Sequence, residues 1–232
     1  MAPTPQRKEG EGVLEGASLY GTHPLERKKS KRSYLMMKRA MDIIMAFIGL
    51  VCISPAFIVI AIIIKMEDPK GSIFFHQVRI GKHEKPFKMF KFRSMVSNAE
   101  ELLEDLLAKN EINGAMFKMK EDPRITRIGK FIRRTSIDEL PQLWNVIRGD
   151  MSLVGPRPPL PREVEEYTNY DKLRLKVTPG CTGLWQISGR NELSFHEMVQ
   201  LDLLYIKKRS VLYDIKIILK TVRVLLGSKD AY

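Results

Sequence analysis

The chain has 232 residues and a formal net charge of +12, from 39 Lys/Arg against 27 Asp/Glu. That length accommodates one medium domain with tails, and two cysteines exclude a disulfide framework and fit a reducing compartment. A basic excess suits nucleic acid, anionic lipid headgroups or phosphorylated substrates, but no zinc-type Cys/His spacing, heptad zipper or RNA-binding aromatic signature supports nucleic acid.

Residues 1–33 are rich in Gly, Pro, Ser and charge, and are expected to be a flexible basic tail. Ile43 to Ile64 is then a 22-residue stretch without a charged side chain, with Ser54-Pro55 at its centre. As a helix it would extend about 33 Å, enough to cross a bilayer. It starts well into the chain and has no small-residue cleavage site after it, so it is not a cleavable signal. Pro55 removes a helical N–H, which predicts a sharp bend near Ser54. Basic residues flank both sides: Lys28, Lys29, Lys31, Lys38 and Arg39 before, Lys65, Lys70, Arg79, Lys82 and Lys85 after. A spanning helix should have one basic end. Two predict a re-entrant segment over 34–66 that turns at Ser54-Pro55 and leaves on the face it entered, with 67–227 as a cytoplasmic domain and 228–232 as a C-terminal tail.

Ser72 to Ile80 and Pro86 to Phe92 are β-prone runs around Gly81–Lys85, which predicts a hairpin. Alternation would put Lys91 and Arg93 on one face of the second strand. Ser97 and Glu100 have capping-box spacing ahead of a short amphipathic helix reaching Leu107. Residues 111–123 are expected as a loop. Arg124 to Arg134 is basic, with Arg127, Lys130 and Arg134 near one helical face, either solvated or a seat for phosphate. Leu140 to Ile147 reads as a helix ended by Gly149-Asp150, and Gly155 to Pro161 as extended. Gly180, Gly183 and Gly189 mark a loop region. Ser194 to Lys208 and Val211 to Leu226 read as helices. The second carries Lys216, Lys220 and Arg223 opposite its apolar face, so it can lie in a bilayer interface or pack on the domain.

The densest polar cluster is Arg133 to Asn145, followed by Gly149 to Pro158. Asp138 and Glu139 are adjacent carboxylates near a helix start. Ser136 and Glu139 have capping-box spacing, so a purely structural role is one reading. The other is chemical. A carboxylate beside Arg133 and Arg134 should stay ionised, and an ionised Asp can attack a phosphoryl group. A neighbouring Glu can hold Mg²⁺, and arginines can neutralise charge on a transferred phosphate. His76, His83 and His196 lack helix-type ligand spacing, and Trp144 and Trp185 suit a core or a membrane interface.

From Lys38 to Leu226 the chain resembles the bacterial sugar transferase family, the monotopic phosphoglycosyl transferases. The likeness rests on the basic-flanked apolar run with Ser54-Pro55, Lys91-Phe-Arg-Ser-Met95, Asp122-Pro123-Arg124, Arg133 through Leu143, Gly149 through Pro158, Pro179 through Gly183, Gly189-Arg190 and Leu201-Asp202. Their order and spacing are specific together. Without the extra membrane helices of larger members, it is similar to the compact catalytic unit of the family.

The resemblance implies transfer of a sugar-1-phosphate from a UDP-sugar to a polyprenol phosphate, expected to be undecaprenyl phosphate, with release of UMP. By motif, Asp138 would be the nucleophile and Glu139 would assist, both toward Mg²⁺. Arg133 and Arg157 would contact phosphate, as would Lys91 and Arg93 of the Lys-Phe-Arg stretch; Asp202 matches the family's acidic position before the last helix. The expected fold is α+β and mostly helical, a monotopic membrane protein with a broken re-entrant helix, a small β-hairpin and interfacial amphipathic helices. The expected place is the cytoplasmic face of the bacterial inner membrane, in contact with its lipid and not with nucleic acid, and the exposed amphipathic helices would allow a homodimer. The competing reading is a membrane-anchored scaffold or regulator that binds anionic lipid or nucleic acid.

Overall fold

The computed structural model describes residues 32–106, 119, 122–189 and 193–227. Its first element, α1 (Arg32–Glu67), is a 36-residue helix. It begins two residues inside the expected tail; the rest of that tail and residues 228–232 lie outside the described residues. Only 11% of its most apolar 18-residue window is buried, so α1 is not the core helix of a soluble domain. Phe47, Val51, Ile58 and Ile62 are each more than half exposed, a surface suited to lipid.

The sequence predicts a helix broken at Ser54-Pro55, whereas α1 remains helical through both residues. Pro55 has no N–H for the Val51 carbonyl four residues back. The Ser54 hydroxyl donates to that oxygen instead, at 2.8 Å. In hydrocarbon an unfilled carbonyl costs several kcal/mol, so the serine offsets the defect made by its neighbour.

Both ends of α1 dock on the rest of the chain. Near the start, Lys38 donates to Asp214 at 2.9 Å, Arg39 donates to the Val146 and Ile147 carbonyls, and Asp42 accepts from the Leu153 N–H at 3.1 Å. At the other end the Glu67 carboxylate accepts from the Arg127 and Ile128 N–H groups, at 2.7 and 3.1 Å. Lys38 and Arg39, two of the cations that flank the apolar run, are therefore committed to the protein. The apolar contacts follow the same division. Ala46 packs with Met89, Val146 and Met151, while Ile60 and Ile64 pack with Phe92 and Ile132. Each fully buried Ile contributes roughly 1.5–3 kcal/mol.

The expected hairpin is present as β1 (Phe74–Ile80) and β2 (Pro86–Phe92), antiparallel, with Gln77 opposite Met89 and Phe75 opposite Lys91. Next comes α2 (Glu101–Leu106). It starts later than the Ser97 box implied, because residues 97–100 form a turn and the Ser97 N–H donates to Asp68 at 2.8 Å. The expected loop over 111–123 falls mostly outside the described residues.

Helix α3 (Arg127–Arg134) is capped by the Thr126 hydroxyl, and α4 (Gln142–Arg148) ends at Gly149. Gly149 sits at φ 92°, a left-handed conformation that glycine adopts without a Cβ clash. The short strands β3 (Ser152–Val154) and β4 (Gly180–Thr182) pair in parallel. So part of the expected glycine loop is a strand; a Cβ on Gly180 would lie 2.0 Å from the Gly155 nitrogen, so only glycine fits. Residues 155–160 are irregular as expected, but Pro161 opens α5 (Pro161–Glu165), at the first helical position that proline tolerates.

Ser194 and Glu197 form a capping box for α6 (Phe195–Lys208), and α7 (Val211–Gly227) follows. Val154, Trp185, Leu201, Tyr205 and Ile217 form one core cluster from β3, α6, α7 and the turn before α6. Helix α7 packs on the domain by one face and leaves the other exposed. Asp214 and Ile217 are buried against the domain, while Leu212, Leu219 and Val222 remain exposed beside Lys216, Lys220 and Arg223. Trp185 is core and Trp144 is half exposed on α4.

Candidate active site

The end of α3 determines how the two carboxylates are presented. The Thr135 hydroxyl folds back onto the Phe131 carbonyl at 2.9 Å, and the Ser136 N–H closes on the Arg133 carbonyl at 3.0 Å. Ser136 takes φ 55°, ψ 17°, left-handed for a residue with a side chain, at a cost of roughly 1–2 kcal/mol. The chain then makes one 3₁₀ turn, Ile137–Glu139, and passes through Pro141 into α4. Ser136 makes no side-chain cap, so the capping-box reading of Ser136 and Glu139 does not hold. Glu139 instead meets Lys91 of β2, with Nζ 2.8 Å from Oε1.

Glu139 and Lys91 line a cleft with Arg157 from the irregular stretch before α5. Arg79 of β1, Gln142 of α4 and Cys181 of β4 continue its wall. Asp138, the residue before Glu139 in the chain, is not itself part of the lining and has 6% of its surface exposed. Burial pushes its carboxyl up to about 6; Lys91 and Arg133 pull it down, and Glu139 pushes it further up. The sequence predicts that Arg133 and Arg134 keep Asp138 ionised; burial outweighs the cations, and the largest attraction comes from Lys91, with Arg133 adding to it. A carboxyl near 6 is still roughly nine-tenths ionised at pH 7. Burial also raises the Cys181 thiol strongly, so it stays protonated and unreactive.

The other expected site residues divide. Arg133 acts on Asp138 through space from the last turn of α3. Arg93, one residue past β2, does not line the cleft; its guanidinium reaches Asp68, with Nη2 2.7 Å from the carbonyl and Nη1 3.2 Å from the carboxylate. Asp202 is fully buried on α6 in an ion pair with Arg174, and burial raises its carboxyl to about 6. It holds the turn Asp171–Lys176 to α6 and lies outside the cleft wall. Arg127, Lys130 and Arg134 are exposed and do not line the cleft. The Asp122–Arg124 pair is internal and buried, with Nη2 2.7 Å from Oδ2. Arg190 lies outside the described residues.

Two cleft residues escaped the sequence reading. Arg79 looked like one more basic flank of the apolar run. The hairpin register held the signal: residues opposite one another share a face, so Arg79 and Gln77 lie on the face of Lys91. Gln142 is 4% exposed, and its place inside the Asp138 helix motif disguised it as an ordinary helix residue.

Mg²⁺ is tested by the donors present. Among the described residues no group of three or more His, Cys, Asp or Glu converges. Asp138 and Glu139 offer two carboxylates, which fits an ion that keeps several waters and takes its other ligands from substrate phosphates.

Comparison with known proteins shows the family of the chain. A sequence model of the family described as bacterial sugar transferase matches residues 33–228. The galactosyl transferase CpsE of Streptococcus agalactiae is 48% identical over 219 residues, covering 94% of this chain and 48% of the relative. An undecaprenyl-phosphate galactose phosphotransferase of Salmonella typhimurium is 44% identical over 212 residues, covering 90% of this chain and 44% of the relative. The exopolysaccharide production protein ExoY of Rhizobium meliloti is 41% identical over 201 residues, covering 85% and 88%. The chain thus spans about half the length of the first two relatives and most of the third.

Proposed function

The chain belongs to the bacterial sugar transferase family, and from that premise we propose that it moves a sugar-1-phosphate from a UDP-sugar to a polyprenol phosphate, releasing UMP, in the first membrane step of surface-glycan or exopolysaccharide assembly. The observation that carries this reading is the cleft. Glu139 lines it with Lys91 and Arg157, and Asp138, its neighbour on the strained turn, feels Lys91 and Arg133, next to helices α3 and α4 that hold the apolar α1.

The Asp138 carboxylate attacks the phosphorus that bears the sugar. Its oxygen forms a new P–O bond as the bond to the bridging oxygen breaks, and UMP leaves with that oxygen. An oxygen of the polyprenol phosphate then attacks the same phosphorus, the Asp138–phosphorus bond breaks, and the carboxylate is restored. Burial suits Asp138 to this role, because a pKa near 6 leaves it ionised at neutral pH yet more basic than an exposed carboxylate. Lys91 and Arg157 neutralise charge on the phosphoryl oxygens. Mg²⁺, when bound by Asp138 and Glu139, supplies Lewis-acid neutralisation of phosphate charge.

The anchor serves the same chemistry. A helix that crosses a bilayer can touch a domain on one side only near one end. Helix α1 contacts the domain through Lys38, Arg39 and Asp42 and again through Ile60, Ile64 and Glu67. That supports entry and exit on the same face, a topology in which Asp138 would meet lipid phosphates at the cytoplasmic leaflet. A UMP-release assay over a panel of UDP-sugars, with polyprenol phosphate present, tests the assignment. Release with one or more sugars, abolished by Asp138→Asn, is expected; salt-sensitive lipid or nucleic-acid binding without UMP release would instead identify a scaffold.

A further inference from the structure

Arg79 is 7% exposed in the wall of the cleft. Its guanidinium is held in one orientation by neutral acceptors. The Gln77 side-chain oxygen accepts from Nε at 3.2 Å and Nη2 at 2.8 Å, and the Pro158 carbonyl accepts from Nη1 at 3.2 Å. No carboxylate closes on it among the described residues. Glu139 and Glu163 act on it only through space, and each is engaged elsewhere, Glu139 with Lys91 and Glu163 with the Leu160 N–H at 2.8 Å.

Arg157, the other arginine in this wall, is half-buried and makes no ion pair among the described residues. The two guanidinium groups repel, and burial together with Arg157 pushes Arg79 down to about 10. A buried cation without a counter-charge is costly, and a second cation in the same cleft adds to the cost. The fold nonetheless brings the two segments together: the Ile80 N–H binds the Pro159 carbonyl at 2.9 Å, which ties β1 to the segment that carries Arg157. A pre-oriented Arg79 fork with a second guanidinium in the same wall suits phosphate oxygens, which arginine binds bidentately.

We propose that Arg79 and Arg157 form a clamp for the diphosphate of the nucleotide sugar, with Gln77 as the positioning residue that holds the Arg79 fork. The proposal rests on the UDP-sugar reading and adds to it a binding residue from the hairpin.

The test is calorimetric binding of UDP and of inorganic pyrophosphate to the full chain in nanodiscs, over a range of salt concentration. Arg79→Gln should weaken UDP binding at least tenfold and make its salt dependence shallower, because one buried charge no longer meets the diphosphate. Arg79→Lys keeps the charge but not the fork, so it should fall between the two; it also serves if the glutamine variant does not fold. Unchanged UDP affinity, or weaker binding with the wild-type salt slope, would overturn the clamp and leave Arg79 a packing residue. If the wild type binds pyrophosphate but not UDP, and Arg79→Gln loses the pyrophosphate, the clamp stands and the UDP-sugar reading falls. If the wild type binds neither, the clamp is refuted.

Discussion

Lys91 Nζ lies 2.8 Å from Glu139 Oε1, so a strand of the hairpin and the turn carrying the two carboxylates meet in one ion pair. The same ammonium exerts the largest downward pull on the Asp138 carboxyl. Lys91 thereby orients Glu139 and favours the ionised form of Asp138, with Arg133 adding to the pull. Lys91→Met should lower kcat/KM by about 100-fold or more, since a charged partner of the transferred phosphate is lost. It should also move the acid limb of the pH–rate profile. In the wild type that limb should lie near pH 6, with activity rising as Asp138 ionises; without Lys91 it should shift to higher pH. Profiles of kcat/KM between pH 5 and 8 check both statements.

Asp138 also links activity to stability. Its folded pKa, about 6, exceeds the ordinary value of 3.8 because of burial. A raised folded pKa means that the group favours the fold below pH 3.8 and that this contribution is lost as pH rises through 6. At pH 7.5 the buried carboxylate therefore destabilises the resting protein. Asp138→Asn removes that charge and should stabilise it by about 1–3 kcal/mol, with the gain shrinking toward pH 5. Thermal melts of both proteins at the two pH values measure this.

Asp214 is fully buried and accepts from Lys38 at 2.9 Å, Tyr34 at 3.1 Å and Tyr205 at 2.8 Å. This joins the start of α1 to α6 and α7. Lys38→Met leaves a buried carboxylate without its cation and should cost roughly 3–5 kcal/mol. Lys38→Met combined with Asp214→Leu should recover much of the loss. Denaturation midpoints of the single and double variants give the coupling directly.

The topology of α1 has its own readout. With Cys52 and Cys181 replaced, cysteines at Ser33 and Ser72 should both react with a membrane-impermeant maleimide only when added from the cytoplasmic side. Labelling of either from outside would require a spanning helix.

The sequence was most legible where one local rule decided the outcome. The hairpin followed from two β-prone runs around Gly81–Lys85, α6 from the helical stripe of Met198, Leu201 and Tyr205, and the end of α4 from Gly149-Asp150. It was least legible where tertiary partners compete for polar groups. Glu139 has the spacing of a cap, yet across the fold Lys91 takes its side chain. Arg93 shares a motif with Lys91, but Asp68, placed by the end of α1, draws it away from the cleft. Asp202 looks like a site carboxylate until Arg174 closes on it inside the core. Arg79 could have been found from the hairpin register, whereas the raised pKa of Asp138 depends on burial by segments far apart in sequence.

The central claim is that Asp138 carries the sugar phosphate. Intact-protein and peptide mass spectrometry after incubation with an accepted UDP-sugar and Mg²⁺, without polyprenol phosphate, tests it most directly. The account predicts a mass increase of one sugar phosphate located on Asp138, about one UMP released per enzyme, and loss of the adduct when polyprenol phosphate is added. An unmodified Asp138, with UMP appearing only when both substrates are present, would contradict it.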